Sequence, residues 1–378
     1  MSDKIKLVHF TYSWISSGVS GFLSNITREL KDDFDQTIVV WDDRGSVFDD
    51  EIRAAGIGIH SLCKGTAHGI VDLPIAAAAF RSYLKKEKPD IVHVHCSTSP
   101  ELRFLEVAKQ QRVPVRVAHC HNAGFEGSKL MKYLKKEVHV SRKEDYADVP
   151  TLRLACSDDA GKWLYNDGES YIVIQNPVDV DKYRFSQEKR DNLRTSLGIS
   201  EHQYAFCCTG RLSEQKNQRL LITAFARYRQ RHPDCVLLLA GDGDQRGTLS
   251  RIATELGVDH CVLFLGTVSD VGAVLSASDG YVLPSLYEGF GTSVLEAEAN
   301  GLPCLLSEAV DRNADVQGNA VWLAPDASPI LWSDGLDLLC THTRYDGIPA
   351  ILASGYTKEK VASYLARLYH SALDEIDK

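Results

Sequence analysis

The sequence predicts an α/β protein of two domains, each a parallel sheet with helices on both faces. Three observations predict it. Short apolar runs alternate with longer amphipathic stretches along the whole chain. Several of those runs end in turns rich in small or polar residues that lead directly into a helical pattern. The chain has 378 residues, too many for one typical core and suited to two.

Bulk properties narrow the function. Charged residues make up 25% and the hydrophobic class 44%, an ordinary globular balance. The net charge of -9 argues against a nucleic-acid partner, whose phosphates need a broad basic face. No window reaches the roughly 18 apolar residues of a membrane span. Met1-Ser2-Asp3-Lys4 opens no apolar secretory segment, so a cytoplasmic location is expected. The ten cysteines never form Cys-x-x-Cys, and most sit in or beside apolar runs. Reduced, buried thiols are expected rather than a disulfide or zinc framework.

Taken in order, Lys6–Phe10 reads as the first strand, followed by Ser16-Ser17-Gly18-Val19-Ser20-Gly21 and a helix from Phe22 to Leu30. Such a turn places backbone N–H groups at the C-terminal edge of a sheet, where ligands of open α/β sheets bind. It equally serves as a tight strand–helix turn with no ligand. Thr37–Val40 and Ile57–His60 read as strands, and Leu73–Lys86 as a helix. Asp90–His95 is a strand carrying His93 and His95 on one side. Val113–Ala118 is another, closed by His119-Cys120-His121-Asn122. Histidines at two strand ends point to a polar pocket, although no metal-ligand spacing is present.

Lys129, Lys132, Lys135, Lys136, Arg142 and Lys143 make a basic stretch in an acidic protein. Leu130, Met131, Leu134 and Val138 recur between them at helical spacing. The segment is either a domain helix with a solvated basic back or a helix that rests on an anionic membrane. Leu152–Cys156 is a strand, and Ser157 an N-cap for the helix beyond it. A short strand, Ile172–Ile174, leads into Gln175-Asn176-Pro177-Val178-Asp179.

Ala205–Thr209 is the first strand of the second half. The loop beyond it, Gly210 to Asn217, carries Arg211 and Lys216. A guanidinium and an ammonium five residues apart at a strand end can meet one diphosphate. Cys235–Ala240 leads into Gly241-Asp242-Gly243-Asp244, which mimics a dinucleotide fingerprint. The mimic fails because it follows a late strand, and the next strand, Val262–Leu265, ends at Gly266-Thr267 without the required acid. Gly266-Thr267-Val268 sits where backbone groups can read a base edge. Asp270–Ser276 is a short helix, and Thr357–Ile376 a long amphipathic one.

The chain is organised around Ser285 to Cys304. Gly280–Leu283 reads as a buried strand ended by Pro284, a loop holds Gly289 and Gly291, and a helix begins near Thr292. A helix N-terminus reached through a glycine turn is an anion site. Glu288 and Glu296 frame it, and carboxylates there suit sugar and ribose hydroxyls better than phosphate. Either glutamate alone could be a dipole-favoured or solvated acid. Tyr287 to Pro303, with Glu-Gly-Phe-Gly, Glu-Ala and Gly-Leu-Pro, resembles the double-glutamate signature of retaining glycosyltransferases of family 4, which adopt the GT-B fold. The bacterial capsule and exopolysaccharide branch is the most similar. Ala155-Cys156-Ser157-Asp158-Asp159-Ala160 resembles that branch too.

The resemblance implies two Rossmann-like domains facing across a cleft. Residues 1–178 would bind acceptor and 179–355 donor, and 356–378 would cross back to the N-terminal domain. It implies transfer of a hexose or N-acetylhexosamine from a nucleotide sugar, UDP-linked on family grounds, to a glycan or lipid-linked hydroxyl with retention. Arg211 and Lys216 would balance diphosphate charge. The backbone amides of Phe290, Gly291, Thr292 and Ser293 would hold the sugar and β-phosphate. Glu288 would fix sugar hydroxyls and Glu296 the ribose, and Gly243 and Val268 would line the nucleotide path. His121, with His119 as the competing choice, would act near the donor sugar. The family has paired glycines and a glutamate where this chain has Ser17 and Ser20, with Gly18 left to meet the donor phosphate. No metal and no cofactor are implied, and the chain would act as a monomer or homodimer. A nucleotide-sugar epimerase or hydrolase, and a non-catalytic nucleotide-sugar-binding subunit, are the alternatives.

Overall fold

The computed structural model describes residues 4–63, 72–125 and 129–376. The side chains of Lys129, Leu130, Met131 and Lys132 lie outside the described part. The chain divides into two compact units, 1–177 with 358–378, and 178–357.

Unit 1 is a seven-stranded parallel sheet ordered β3-β2-β1-β4-β5-β6-β7. Its strands are β1 (Ile5–Trp14), β2 (Phe34–Asp43), β3 (Gly58–Ser61), β4 (Ile91–Cys96), β5 (Val115–Cys120), β6 (Leu152–Ala155) and β7 (Ile172–Val173). Central strands are covered on both faces, so every residue of β4 is buried, His93 and His95 included. The edge strand β3 is mostly exposed. The helix Lys358–Asp374 buries Val361, Ala362, Leu365 and Tyr369 in the same core as Leu7, Ile26, Ile38 and Val117.

Two boundaries differ from the sequence reading in ways that matter. β5 continues two residues beyond Ala118, so His119 lies inside the sheet and His121 just past its end. The first helix begins at Gly18 rather than Phe22, which makes the small-residue turn the helix N-terminus itself. Ser17 is its N-cap, and Ser17 and Ser20 form a reciprocal capping box. The Ser17 N–H donates to Ser20 Oγ at 2.9 Å, and the Ser20 N–H donates back to Ser17 Oγ at 3.4 Å. The two serines that depart from the family pattern therefore satisfy helix-end donors.

Unit 2 is a six-stranded parallel sheet ordered β10-β9-β8-β11-β12-β13. Its strands are β8 (Tyr204–Thr209), β9 (Cys235–Ala240), β10 (Val262–Gly266), β11 (Gly280–Leu283), β12 (Cys304–Ser307) and β13 (Val321–Leu323). In both units the order reverses at the centre: β1 lies between β2 and β4, and β8 between β9 and β11. Crevices at the carboxyl ends of such strand pairs are where open α/β sheets take ligands. All ten cysteines are free, and eight are buried. Among the described residues no helix is long and apolar enough to cross a membrane.

Candidate functional site

The strand order of unit 2 decides which loops meet. The loop after β8 carries Arg211 and Lys216, and the loop after β11 carries Glu288. Because β8 and β11 are neighbours, residues 72 apart in sequence become adjacent. The two loops are stitched together by backbone and amide contacts. The Leu286 N–H donates to the Gln215 carbonyl at 2.8 Å. Gln215 Nε2 donates to the Tyr287 carbonyl at 3.0 Å, and Asn217 Nδ2 to that of Pro284 at 3.2 Å. Gln218 Nε2 holds the Arg211 carbonyl at 2.8 Å, so the start of the same loop is tied to the helix that follows it.

On this frame Lys216 Nζ donates to Glu288 Oε1 at 2.7 Å, with the two side chains 17% and 7% exposed. Ser285 Oγ donates to the same oxygen at 2.5 Å. Both contacts fall on Oε1. An ammonium has three donors, so one bond to Glu288 leaves it able to take an anion as well. Sequence reasoning placed Lys216 on a diphosphate and Glu288 on a sugar, but missed their pairing. A strand-order argument was the only signal that could have found it.

The helix Thr292–Ala299 opens with Gly291 in the left-handed region, at φ 95°. A Cβ there would stand 2.8 Å from Val310 Cγ1, so glycine is required by both conformation and space. The first turn has no acidic residue to occupy its amides. Its leading N–H groups, at Thr292 and Ser293, have no partner inside the helix by geometry. Phe290 is buried and packs on the Tyr356 ring at 5.4 Å between centroids. That contact anchors the turn from which the amides project.

Glu296 lies one turn further in and is half-buried. Burial pushes its carboxyl up to about 7, against a hydrogen bond from Tyr183 and the charges of Lys182 and Lys216, which pull it down. Lys216 thus acts on both glutamates. Tyr183 and Lys182 were not singled out in the sequence, since they lie over 100 residues earlier and only the fold brings them here.

Other expected residues fall elsewhere. Gly243 follows β9 and Val268 follows β10, on the side of β8 away from β11. Gly243 has a task within the unit: a Cβ there would stand 2.3 Å from the Leu212 carbonyl oxygen. Its bare Cα serves loop-to-loop packing. By contrast, a Cβ on Gly18 would meet nothing within 4 Å.

In unit 1, His121 is half-buried, whereas His119 is fully buried, and among the described residues neither of its ring nitrogens has a hydrogen-bond partner. Of the two, His121 is the one within reach of solvent. Its Nε2 lies 2.9 Å from His95 Nδ1. Its ring meets Phe22 edge-on at 5.2 Å. Burial lowers the His121 imidazole to about 3, so it is neutral at pH 7. The helix Lys129–Lys143 turns His139 inward and leaves Leu134 and Val138 exposed at 48% and 46%. The helix nonetheless docks on the unit through His139, whose Nδ1 accepts from the Ser99 N–H at 3.0 Å and whose ring stacks on Trp163 at 4.5 Å between centroids.

Two family models cover most of the chain. "Glycosyltransferase Family 4" matches residues 16–182, and "Glycosyl transferases group 1" matches residues 189–345. The UDP-Gal:alpha-D-GlcNAc-diphosphoundecaprenol alpha-1,3-galactosyltransferase of Escherichia coli is 32% identical over 329 residues, covering 83% of this chain and 82% of that protein. The putative glycosyltransferase EpsF of Bacillus subtilis is 29% identical and covers 66% of each chain. Among solved structures, Anabaena Alr3699/HepE in complex with UDP and glucose superposes with a TM-score of 0.80 at 20% identity, over 97% of this chain and 100% of that one. Sucrose-phosphate synthase from Thermosynechococcus elongatus gives 0.77 at 16% identity, over 98% of this chain and 100% of that one. These last two likenesses concern the fold.

Proposed function

Because this chain belongs to the GT-B glycosyltransferases of family 4, we propose that it moves a hexose or N-acetylhexosamine from a UDP-sugar to a hydroxyl of a glycan or lipid-linked acceptor, with retention, in polysaccharide biosynthesis. The observation that carries this reading is the buried Lys216–Glu288 pair beside the β11 loop that leads into the Thr292–Ala299 helix. UDP departs with negative charge, and Lys216, Arg211 and the amides of Phe290 to Ser293 stabilise it electrostatically. Glu288 Oε2 accepts from sugar hydroxyls while Oε1 holds Lys216 in place. Glu296 accepts from the ribose, and His121 donates near the donor sugar. Gly18 admits the phosphate, and the backbone at Gly243 and Val268 borders the nucleotide. No carboxylate is placed as a nucleophile, so the acceptor enters on the face from which UDP leaves. The test is incubation of UDP-sugars with and without lipid-diphosphate-linked GlcNAc. Transfer is expected only with acceptor; sugar release or epimerisation without it supports the alternative activities.

Metal is not required for this reaction, since side-chain cations do its work. In chelator-treated enzyme, added Mg²⁺ or Mn²⁺ should leave the initial rate unchanged. Restoration by Mg²⁺ of a rate lost to EDTA would count against the assignment.

The Glu296 carboxyl gives a pH signature. It takes up a proton as pH falls through about 7, and a neutral carboxyl is a weaker acceptor for a ribose hydroxyl. The KM for donor should therefore rise severalfold as pH is lowered across that value. Glu296→Gln should flatten the dependence; an unchanged slope in that variant would remove the ribose role.

The acceptor reading gains from the helix Lys129–Lys143. Tyr133, Leu134, Val138 and Val140 are exposed at 61%, 48%, 46% and 52%, beside exposed Lys135, Lys136 and Arg142. Apolar and basic groups presented together suit an anionic bilayer surface. Co-sedimentation with phosphatidylglycerol vesicles should occur at low salt and fade as salt rises. No binding at low salt would dispose of the membrane contact.

A further inference from the structure

Unit 1 contains a group of imidazoles that sugar transfer does not use. His9 on β1 and His93 and His95 on β4 are buried, at 0%, 0% and 3% exposure. The parallel register sets His9 against His93, and the two-residue period of β4 brings His95 to the same face. Each of the three offers one ring nitrogen, and these nitrogens lie within 4.8 Å of one another. His9 Nδ1 and His95 Nε2 are 3.1 Å apart. Two nitrogens on a tetrahedral zinc, each about 2.0–2.1 Å from the ion, are separated by about 3.3 Å.

Two of the three outer nitrogens, those of His93 and His95 but not His9 Nε2, are held in the manner of metal ligands, whose second nitrogen almost always has a partner that fixes the ring. His93 Nδ1 is 2.6 Å from the Tyr369 hydroxyl, and His95 Nδ1 is 2.9 Å from His121 Nε2. The inner nitrogen of His93, Nε2, is buried and has no hydrogen-bond partner among the described residues. Buried polar atoms are normally satisfied, so an orphan aimed among other imidazoles asks what fills the space. His119, whose two ring nitrogens are also orphaned, stacks on His93 at 5.3 Å between centroids and stands beside the group as a fourth imidazole.

We propose that His9, His93 and His95 bind one divalent ion of the zinc class in the interior of unit 1. Neutral imidazoles without carboxylates select zinc-like ions over magnesium or calcium. The ion joins β1 to β4 and, through His93 and Tyr369, to the C-terminal helix. It is structural and separate from the diphosphate chemistry of unit 2. With the ion on Nε2, the proton of neutral His95 sits on Nδ1 and is donated to His121 Nε2. The proton of His121 is then on Nδ1, so the ion also fixes the tautomer of the residue nearest solvent.

The test uses the untagged full chain, stripped with dipicolinate and then exposed to ZnCl₂ or CoCl₂ and desalted. One ion per chain is expected, with a tetrahedral Co²⁺ absorption band and a higher melting temperature for the zinc-loaded protein. His93→Phe and His9→Phe should each abolish the band, while the surface variant His260→Ala keeps it. Substoichiometric zinc with no Co²⁺ band in the wild-type chain would overturn the proposal, whatever the variants do. Loss of the ion in His119→Phe but not in His93→Phe would also overturn it, by moving the site to His95, His119 and His121.

Discussion

Lys216→Ala should lower kcat by roughly 10²–10³-fold, the effect of removing one preorganised charge donor from a transition state. The Lys216 side chain is only 17% exposed and already oriented by Glu288, so in the proposed mechanism no reorganisation is needed when charge appears on the departing nucleotide. The same geometry carries a stability cost. Without Lys216, the Glu288 carboxylate, 7% exposed, keeps only the Ser285 hydroxyl among the contacts on Oε1. A buried acceptor left short of a partner costs about 1–3 kcal/mol. The double variant Lys216→Ala/Glu288→Gln separates the two effects, because a neutral amide needs no counter-charge. Its melting temperature should return towards wild type while kcat stays low. If the single variant turned over at the wild-type rate, Lys216 would have no part in the chemistry.

Gly301→Ala should unfold unit 2 at a markedly lower temperature. Gly301 ends the Thr292–Ala299 helix at φ +79°, with its N–H on the Glu298 carbonyl and the Leu302 N–H on that of Ala297. That pair of bonds is the helix-terminating arrangement in which glycine takes the left-handed position. A Cβ there would stand 1.8 Å from the Tyr345 carbonyl oxygen, a backbone atom. Tyr345 cannot simply retreat, since its own N–H donates to Gly301 O at 3.0 Å. Backbone strain and steric overlap together should cost at least about 3 kcal/mol. For a unit of this size the melting temperature should drop by on the order of 10 °C. A drop within about 2 °C would mean the 344–345 segment yields freely. The helix concerned carries both Glu296 and the amides proposed to hold the β-phosphate, so donor affinity should weaken along with stability.

How much of this was legible in the sequence depended on distance along the chain. The strands with buried faces were legible, because β8, β9 and β11 are largely apolar runs bounded by turns and β4 alternates β-branched residues with histidine. The loop from Glu288 to Gly291 and the helix after it were legible for a local reason: strand, glycine turn and helix N-terminus are consecutive. The Ser17–Ser20 capping box lies in the spacing, but serine at the third helical position in place of the usual glutamate or glutamine hides it. The end of β5 was misplaced because His119 and Cys120 lack the β-branched character of the residues before them.

What remained hidden was set by register and strand order. Lys216 and Glu288 are 72 residues apart, and only the β8–β11 adjacency joins them. His9 and His95 are 86 apart and meet because β1 and β4 pair in one particular register. The contact between Gly243 and Leu212 depends on how two loops cross, which no local pattern encodes.

The most direct measurement is a crystal structure of the full chain with UDP bound. Oxygens of the β-phosphate are expected within about 3.2 Å of Lys216 Nζ and of the amide nitrogens at Gly291 and Thr292. Density that places the diphosphate away from that helix N-terminus, with Lys216 still bound to Glu288 alone, would contradict the mechanism.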